Sequence, residues 1–318
     1  MNRWLPGCVA GLFLALLLVV AGCISPAEDD TPSPGTIRAF VEDAGTYTDA
    51  VGEDAAIREF NRPDGRFTRD GWYIYAYDTD MILLAHPYEQ ASVGTNRSGW
   101  TDIRGLPVIR IGRDTAAEGG GYVAYLYPRA GESGIDERAR ETYEPKIGYV
   151  APAGEGWWIG SGMPLADLAA PGEGEYPAPV RMMVDLVHAG TAYARAGGPD
   201  AARAAISDRA GPFIDSSGHY LYAYQYDGTL VAHPYLPELI RTNLIGRQDP
   251  YGMENIRALA ETAEAGGGFV IFVWPNPDAG NRPEQKIGYV MPVDDSWWLG
   301  SGVYLSEVTD EYTPLAGV

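Results

Sequence analysis

Cysteine is almost absent from this chain. Among 318 residues only Cys8 and Cys23 are cysteines, and both lie near the N-terminus. The rest of the chain therefore holds no pair for a disulfide, and its folded units must be held by their own apolar cores. Histidine is also rare, with four residues, and none has the spacing to another that metal ligands usually show. We therefore expect neither a metal site nor another bound cofactor.

Positive charge is scarce as well. The 23 lysines and arginines are outnumbered by 43 acidic residues, which gives a net charge of −20. Because binding to phosphate backbones requires a basic face, nucleic acid is not expected as a partner. A catalytic nucleophile is also missing, since Ser161 and Ser301 have no histidine near them in sequence and do not sit in a Gly-x-Ser-x-Gly elbow. We predict that the protein is not an enzyme.

The long apolar run of the sequence covers residues 9–20, after Arg3 and before Ala21-Gly22-Cys23. A positive start, an apolar middle and small residues before the cut are typical of a signal peptide. Because a cysteine at the cut resembles a lipobox, we predict a lipoprotein signal peptide over residues 1–23. Cys23 would then carry lipid and hold the protein on the extracytoplasmic side of the cell membrane. The alternatives are a plain signal peptide or an uncleaved anchor, although the run is short for a membrane span.

The dominant feature of the chain is a long internal repeat. The segment 75–88 reads as an aromatic strand, a tight turn and an apolar strand ending in His-Pro-Tyr, and the same pattern returns 147 residues later at 222–235. The matching Lys-Ile-Gly-Tyr-Val strands, which start at Lys146 and Lys286, are only 140 residues apart. Such a length change marks a surface loop, and repeats of this size are domains. The predicted segments are a flexible stalk at 24–35, a first domain at 36–168, a linker at 169–179, a second domain at 180–308 and a tail at 309–318.

Both copies show the same order of elements. Apolar residues at helical spacing predict a long helix over 36–60 with a break near Gly52, and its counterpart over 180–206 is interrupted at 197–199. Five segments rich in aromatic and β-branched residues follow in each copy and predict strands. A short helix is expected between the second and third strands. This layout indicates an α+β fold.

The order of these motifs resembles the single Cache domain family, in its type 2 subgroup, which comprises extracellular relatives of PAS domains. The resemblance depends on the aromatic strand, the His-Pro pair, the Gly-rich start of the third strand and the repeated Lys-Ile-Gly-Tyr-Val and Trp-Trp-x-Gly-Ser-Gly strands. It implies two tandem PAS-like domains, each a long N-terminal helix plus a five-stranded antiparallel sheet. It also implies a sensor that binds small carboxylates or amino acids between the sheet and its insertion.

Three kinds of side chain are candidates for ligand binding. Tyrosines on one strand face would form flat walls, histidines at the end of the second strand would donate hydrogen bonds, and lysines inside an apolar strand would meet an anion. The alternatives are core aromatic residues, capping histidines and edge-strand lysines that reach solvent. The predicted ligand-binding residues are Tyr75, Tyr77, His86, Lys146, Tyr222, Tyr224, His233 and Lys286.

Together these observations predict a membrane-anchored lipoprotein that senses a small, anionic molecule, either an organic acid or an amino acid. The signal would pass through a partner such as a receptor or kinase. One alternative is a solute-binding protein that delivers to a transporter. Another is a structural surface module whose pockets have degenerated.

Overall fold

The computed structural model describes residues 1, 32–69, 71–129, 135–136, 138, 140–172 and 174–315. The predicted signal peptide beyond Met1, the lipidation site Cys23 and most of the predicted stalk lie outside the described residues. A single compact unit begins at Pro32 and contains both repeats. No helix in the described ranges is both long enough and apolar enough to cross a membrane.

The first repeat begins with two consecutive helices, α1 (Pro34–Val51) and α2 (Glu53–Phe60). The first helix starts at Ser33, whose side chain accepts a hydrogen bond from the Thr36 N–H in a capping box. The two helices meet at Gly52, whose φ of 83° is open to glycine but strained for other residues. The predicted break in the long helix is therefore confirmed.

The first sheet follows these helices. The elements that follow in the first repeat are β1 (Thr68–Arg69), β2 (Trp72–Tyr73), β3 (Tyr75–Asp78), β4 (Leu83–Ala85), helix α3 (Val108–Ala117), β5 (Gly121–Pro128), β6 (Tyr143–Gly154) and β7 (Trp157–Pro164). Strands β1 and β2 pair only with each other. The other five form one antiparallel sheet in the order β4-β3-β7-β6-β5.

The second repeat has the same architecture. Its elements are α4 (Ala178–Gly197), α5 (Pro199–Ser207), β8 (Tyr222–Gln225), β9 (Leu230–Ala232), α6 (Asn255–Glu264), β10 (Gly268–Asn276), β11 (Arg282–Pro292), β12 (Trp297–Tyr304) and α7 (Leu305–Thr309). The strand order β9-β8-β12-β11-β10 repeats that of the first sheet. The predicted α+β fold with two five-stranded antiparallel sheets is confirmed.

Each sheet lies between two helical layers. Ile37, Phe40 and Val41 on one stripe of α1 are buried, and α1 packs on β6 and β7. In the second repeat α4 packs in the same way on β11 and β12. Helices α3 and α6 cover part of the opposite sheet face, so a cavity between the sheet and the inserted helix is possible in each repeat.

The two repeats meet at the free edge of strand β5. The Tyr122 N–H donates to Thr313 Oγ1 at 2.9 Å, and the Ala124 N–H donates to Gln285 Oε1 at 2.9 Å. The amide group of Gln285 also donates to the Ala124 carbonyl at 2.8 Å. Gln285 and Thr313 therefore satisfy outward backbone groups at Tyr122 and Ala124, which would otherwise be open to pairing, while Asp102 of the first repeat accepts from the Leu126 N–H at 3.2 Å.

We predict that Gln285→Ala lowers the free energy of unfolding by about 2 kcal/mol, because the buried N–H and carbonyl of Ala124 lose their partner. Chemical denaturation of protein spanning residues 24–318 measures this change. Gln248→Ala is the matched control, since its side chain is exposed. An equal loss in both variants would contradict the assigned role of Gln285.

Candidate functional site

The second repeat contains an aromatic cavity between its sheet and α6. The cavity has a volume of about 20 Å³, enough for one water molecule. Its lining residues are Tyr220, Tyr222, Tyr224, His233, Ile256, Leu259, Phe272, Trp274 and Lys286. An outer cleft of about 750 Å³ adjoins it and shares Tyr220, His233, Trp274 and Lys286. These four residues therefore form the wall between the small cavity and the larger cleft.

Lys286 is the charged residue of this wall. It lies inside β11 and is 4% exposed, and its Nζ is 4.3 Å from the ring centre of Tyr304 and 5.2 Å from that of Tyr220. The aliphatic stem of Lys286 passes over Gly302, where a Cβ atom would stand 2.9 Å from its Cε. Glycine at this position therefore leaves the space that the lysine occupies.

The ammonium of Lys286 is held without a direct counter-ion. Burial lowers its pKa to about 8, although the more distant carboxylates of Glu307 and Glu284 raise it. Across the described ranges, no carboxylate lies within ion-pair distance of Nζ. A buried cation in this state is stabilised when an anion binds next to it.

His233 supplies a neutral hydrogen-bond donor to the same cavity. Its Nδ1 accepts hydrogen bonds from the N–H groups of Tyr235, at 3.0 Å, and Leu236, at 3.2 Å. Burial, and then the charge of Lys286, lower the pKa of His233 to about 3, so the ring is neutral at physiological pH. Since Nδ1 is an acceptor, the ring proton resides on Nε2. That Nε2–H has no acceptor among the residues described.

The first repeat has a corresponding cavity of about 30 Å³. It is lined by Tyr73, Tyr75, Tyr77, His86, Trp100, Val108, Ile109, Tyr125 and Tyr127. His86 repeats the arrangement of His233, because its Nδ1 accepts from the N–H groups of Tyr88 and Glu89 at 3.2 and 3.1 Å. Burial, followed by the charges of Arg97 and Lys146, lowers its pKa to about 3.

Glu89 distinguishes the first cavity from the second. Its Oε1 accepts a hydrogen bond from the Tyr127 hydroxyl and lies 3.6 Å from His86 Nε2. Arg97 Nη1 donates to its Oε2 at 3.3 Å. A carboxylate of the chain itself is therefore bound beside the first cavity, against two of its lining residues, Tyr127 and His86.

All four predicted site residues of the second repeat line its cavity, but only three of the four in the first repeat do so. Tyr222, Tyr224, His233 and Lys286 line the second cavity, whereas Tyr75, Tyr77 and His86 line the first. Lys146 does not line the first cavity. Its Nζ donates to the Pro128 carbonyl at 3.3 Å and lies 3.9 Å from Glu144 Oε1. Ligand binding by all eight residues stays a prediction.

Sequence reasoning missed Glu89 and Arg97, which lie beside the first cavity, and Tyr220 and Trp274, which line the second. A position-by-position comparison of the repeats contained the signal for the first two. At the offset of 147 residues, Glu89 corresponds to Leu236 and Arg97 corresponds to Leu244. Two charges in the first repeat are thus replaced by two leucines in the second.

His219 forms a separate polar cluster at the outer cleft. Its Nδ1 lies 2.7 Å from Asp215 Oδ2 and its Nε2 lies 2.8 Å from Glu307 Oε1. Burial acts to lower its pKa, but hydrogen bonds and charges from Glu307 and then Asp215 outweigh this effect, so the pKa is raised. Among the described residues, no group of three or more side chains has the arrangement of a metal site.

Comparison with known proteins gives one family and several similar sensors. The family described as Single Cache domain 2 matches residues 54–176 and 180–315. The curated protein named Sensor histidine kinase MctS, from Rhizobium johnstonii, is 36% identical over 90 residues. These residues are 28% of this chain and 19% of the kinase, so the match spans about a fifth of the length of that relative.

Two solved structures are also similar. A methyl-accepting chemotaxis protein from Vibrio parahaemolyticus is 24% identical, with a TM-score of 0.36, over 41% of this chain and 91% of that one. The ligand binding domain of the Pseudomonas aeruginosa amino acid chemoreceptor PctB, in complex with L-Arg, is 14% identical, with a TM-score of 0.28. That similarity covers 86% of this chain and 87% of the chemoreceptor domain.

We predict that His86 and His233 stay neutral, with the proton on Nε2, from pH 7 to about pH 4. Since folding lowers both pKa values, protonation of the unfolded chain favours unfolding as the pH falls from 6.5 towards 3. Each ring then lowers the free energy of unfolding by up to about 1.4 kcal/mol per pH unit. Nitrogen-15 NMR of the rings measures both properties. His219 is the internal contrast, because it gains its proton above its ordinary pKa. Titration of His233 near pH 6.5 would contradict the assigned tautomer.

Proposed function

The chain belongs to the Single Cache domain 2 family and carries two copies of the domain, and we propose that it is an extracytoplasmic sensor whose second repeat binds a short organic acid. The observation that carries this proposal is the pairing of Lys286 with His233 at one cavity wall. An ammonium and a neutral Nε2–H both face the cavity, and neither has an anionic partner among the described residues.

A carboxylate satisfies both groups at once. One of its oxygens accepts a hydrogen bond from the ammonium of Lys286, and the other accepts one from the Nε2–H of His233. Hydrogen bonds to a charged group contribute more than neutral ones, and the buried setting strengthens them further. The ligand thus supplies the charge that the fold leaves unpaired.

The cavity walls favour an organic acid over an amino acid. The ammonium of an amino acid requires a carboxylate or several acceptors, and no acidic residue lines the inner cavity. The carboxylates near Lys286, on Glu307 and Glu284, are held by His219, Asn276 and the Ser306 N–H. An apolar tail instead meets the rings of Tyr222, Tyr224 and Phe272. Because the empty inner cavity of about 20 Å³ holds only one water molecule, these rings must move apart to admit the tail, and a tail of few carbons requires the smallest movement.

The rest of the proposal concerns where the sensor sits and what receives its signal. We place it at the membrane through lipid on Cys23, facing the extracytoplasmic side, with a receptor or sensor kinase as its signalling partner. The similarity to a sensor histidine kinase supports a partner of this class. Delivery of solute to a transporter is the competing role for the same binding site.

The binding site is tested with Lys286→Met, which keeps the length of the stem and removes the charge. Wild-type protein spanning residues 24–318 is expected to bind acetate, propionate or butyrate, with a rise in melting temperature and a Kd from calorimetry. The variant should lose at least about tenfold in affinity, since a hydrogen bond to a charged group contributes about 1.5–3 kcal/mol.

Lys146→Met is the matched control, because the same residue type at the equivalent strand position does not line the first cavity and donates to the Pro128 carbonyl. We expect it to bind the acid as the wild type does. Alanine and simple amines serve as comparison ligands. The proposal fails if no acid raises the melting temperature, or if both lysine variants lose binding equally.

Lipid anchoring is tested separately with Cys23→Ser. We expect this variant to leave the membrane fraction of cells and to take up no labelled fatty acid. Cys8→Ser is the matched control, because Cys8 lies within the predicted leader and should not change fractionation. A Cys23→Ser protein that stays in the membrane fraction would instead support an uncleaved anchor.

A further inference from the structure

We propose that Glu89 is a built-in ligand of the first repeat. Its carboxylate takes the interactions that an external carboxylate makes in the second repeat, so the donors of the first repeat already have an anionic partner and the first repeat does not bind an acid. The comparison with the second repeat rests on the proposed function, whereas the pairing of Glu89 rests on its own contacts.

The two histidines place these carboxylate positions in the same part of the fold. His86 and His233 end matching strands, and each ring is fixed by two backbone N–H groups that donate to Nδ1. Each therefore directs its Nε2–H towards its own cavity. In the first repeat Glu89 Oε1 lies 3.6 Å from this nitrogen. In the second repeat Leu236 takes the position of Glu89 and leaves the donor unpaired.

The other groups that hold Glu89 are also absent from the second repeat. Arg97 and the Tyr127 hydroxyl bind its carboxylate in the first repeat. The equivalent positions are Leu244 and Trp274, neither of which donates a charged or hydroxyl hydrogen bond. The carboxylate and two of its donors thus changed together, as expected for parts of one site.

The buried cations show the same complementarity. In the first repeat the side chain of Glu89 is 8% exposed and that of Arg97 is 12% exposed, so a cation and its anion are buried together beside the cavity. Lys146 is turned to the Pro128 carbonyl and to Glu144. In the second repeat Lys286 reaches the cavity wall without an anion. Among the described residues, the Arg97 guanidinium beside the first cavity thus has a carboxylate at ion-pair distance, whereas the Lys286 ammonium of the second has none.

This assignment makes the two repeats unequal in function. Ligand binding would change the charge balance of the second cavity only. The first repeat would hold the structure of a liganded domain at all ligand concentrations. One chain should therefore bind one acid, although it contains two domains of the same family.

The experiment removes the internal carboxylate and supplies one from solution. In the Lys286→Met background, which disables the second site, Glu89→Ala is expected to melt at a lower temperature than its parent. Propionate should raise its melting temperature by about 3 °C or more and bind with one molecule per chain, because it enters the vacated place. The Lys286→Met parent should show neither effect.

Three controls accompany this measurement. Glu89→Gln keeps the space filled, so propionate should not rescue it. Glu118→Ala changes an exposed glutamate and should also show no rescue. Sodium chloride at equal ionic strength separates site binding from a general salt effect. The proposal is overturned if chloride and propionate act equally on Glu89→Ala.

The reciprocal variant decides the question if Glu89→Ala does not fold. Leu236→Glu places a carboxylate beside His233 and Lys286. In the otherwise native chain this variant should lose acid binding, and its melting temperature should be equal to that of the wild type or higher. Undiminished acid binding by a folded Leu236→Glu protein would overturn the equivalence of the two positions. If the wild type binds no acid but propionate rescues Glu89→Ala, the proposed function fails and the built-in ligand stands.

Discussion

The buried ammonium of Lys286 is the constraint around which the cavity of the second repeat is arranged. A charge that leaves water without a partner destabilises the folded state, and the fall of its pKa to about 8 reflects that cost. The surrounding residues are arranged so that the ammonium keeps its place. Gly302 makes room for the stem, and the rings of Tyr220 and Tyr304 offer their negative faces to the cation. A ligand that supplies a negative charge removes this destabilisation, and the free energy recovered contributes to its binding.

Much of the architecture follows from patterns that depend on local physics. Apolar spacing, a glycine with positive φ at position 52 and aromatic strands are properties of short segments, and their recurrence in two copies strengthens each assignment. The tyrosine face was also predictable, since side chains alternate along a strand and the small Ala76 and Ala223 suit contact with a helix. Both alanines are fully buried.

The differences between the cavities were harder to predict, because they depend on where long side chains end. Lys146 and Lys286 occupy equivalent strand positions, yet one amine turns to a backbone carbonyl and the other reaches a cavity wall. Their strand neighbours account for part of this divergence. Lys286 pairs across the sheet with Tyr304, whose ring lies against the ammonium, whereas Lys146 pairs with Pro164. Sequence alone shows that Leu236 and Leu244 replace Glu89 and Arg97, but only the fold shows that these positions belong to the same site.

The contact between Gln285 and strand β5 has an evolutionary consequence. A chain with two similar domains is the expected product of gene duplication, and its ancestor would have held a single domain with a β5 edge of its own. In the present protein that edge is completed by Gln285 and by Thr313, which lies close to the C-terminus of the chain. Proline stands at position 145, the counterpart of Gln285. The first copy has thus become dependent on the second for its edge, so loss of the second copy would expose backbone groups of β5 that can pair with other strands. Selection would then retain the second domain for the stability of the first, apart from any ligand that it binds.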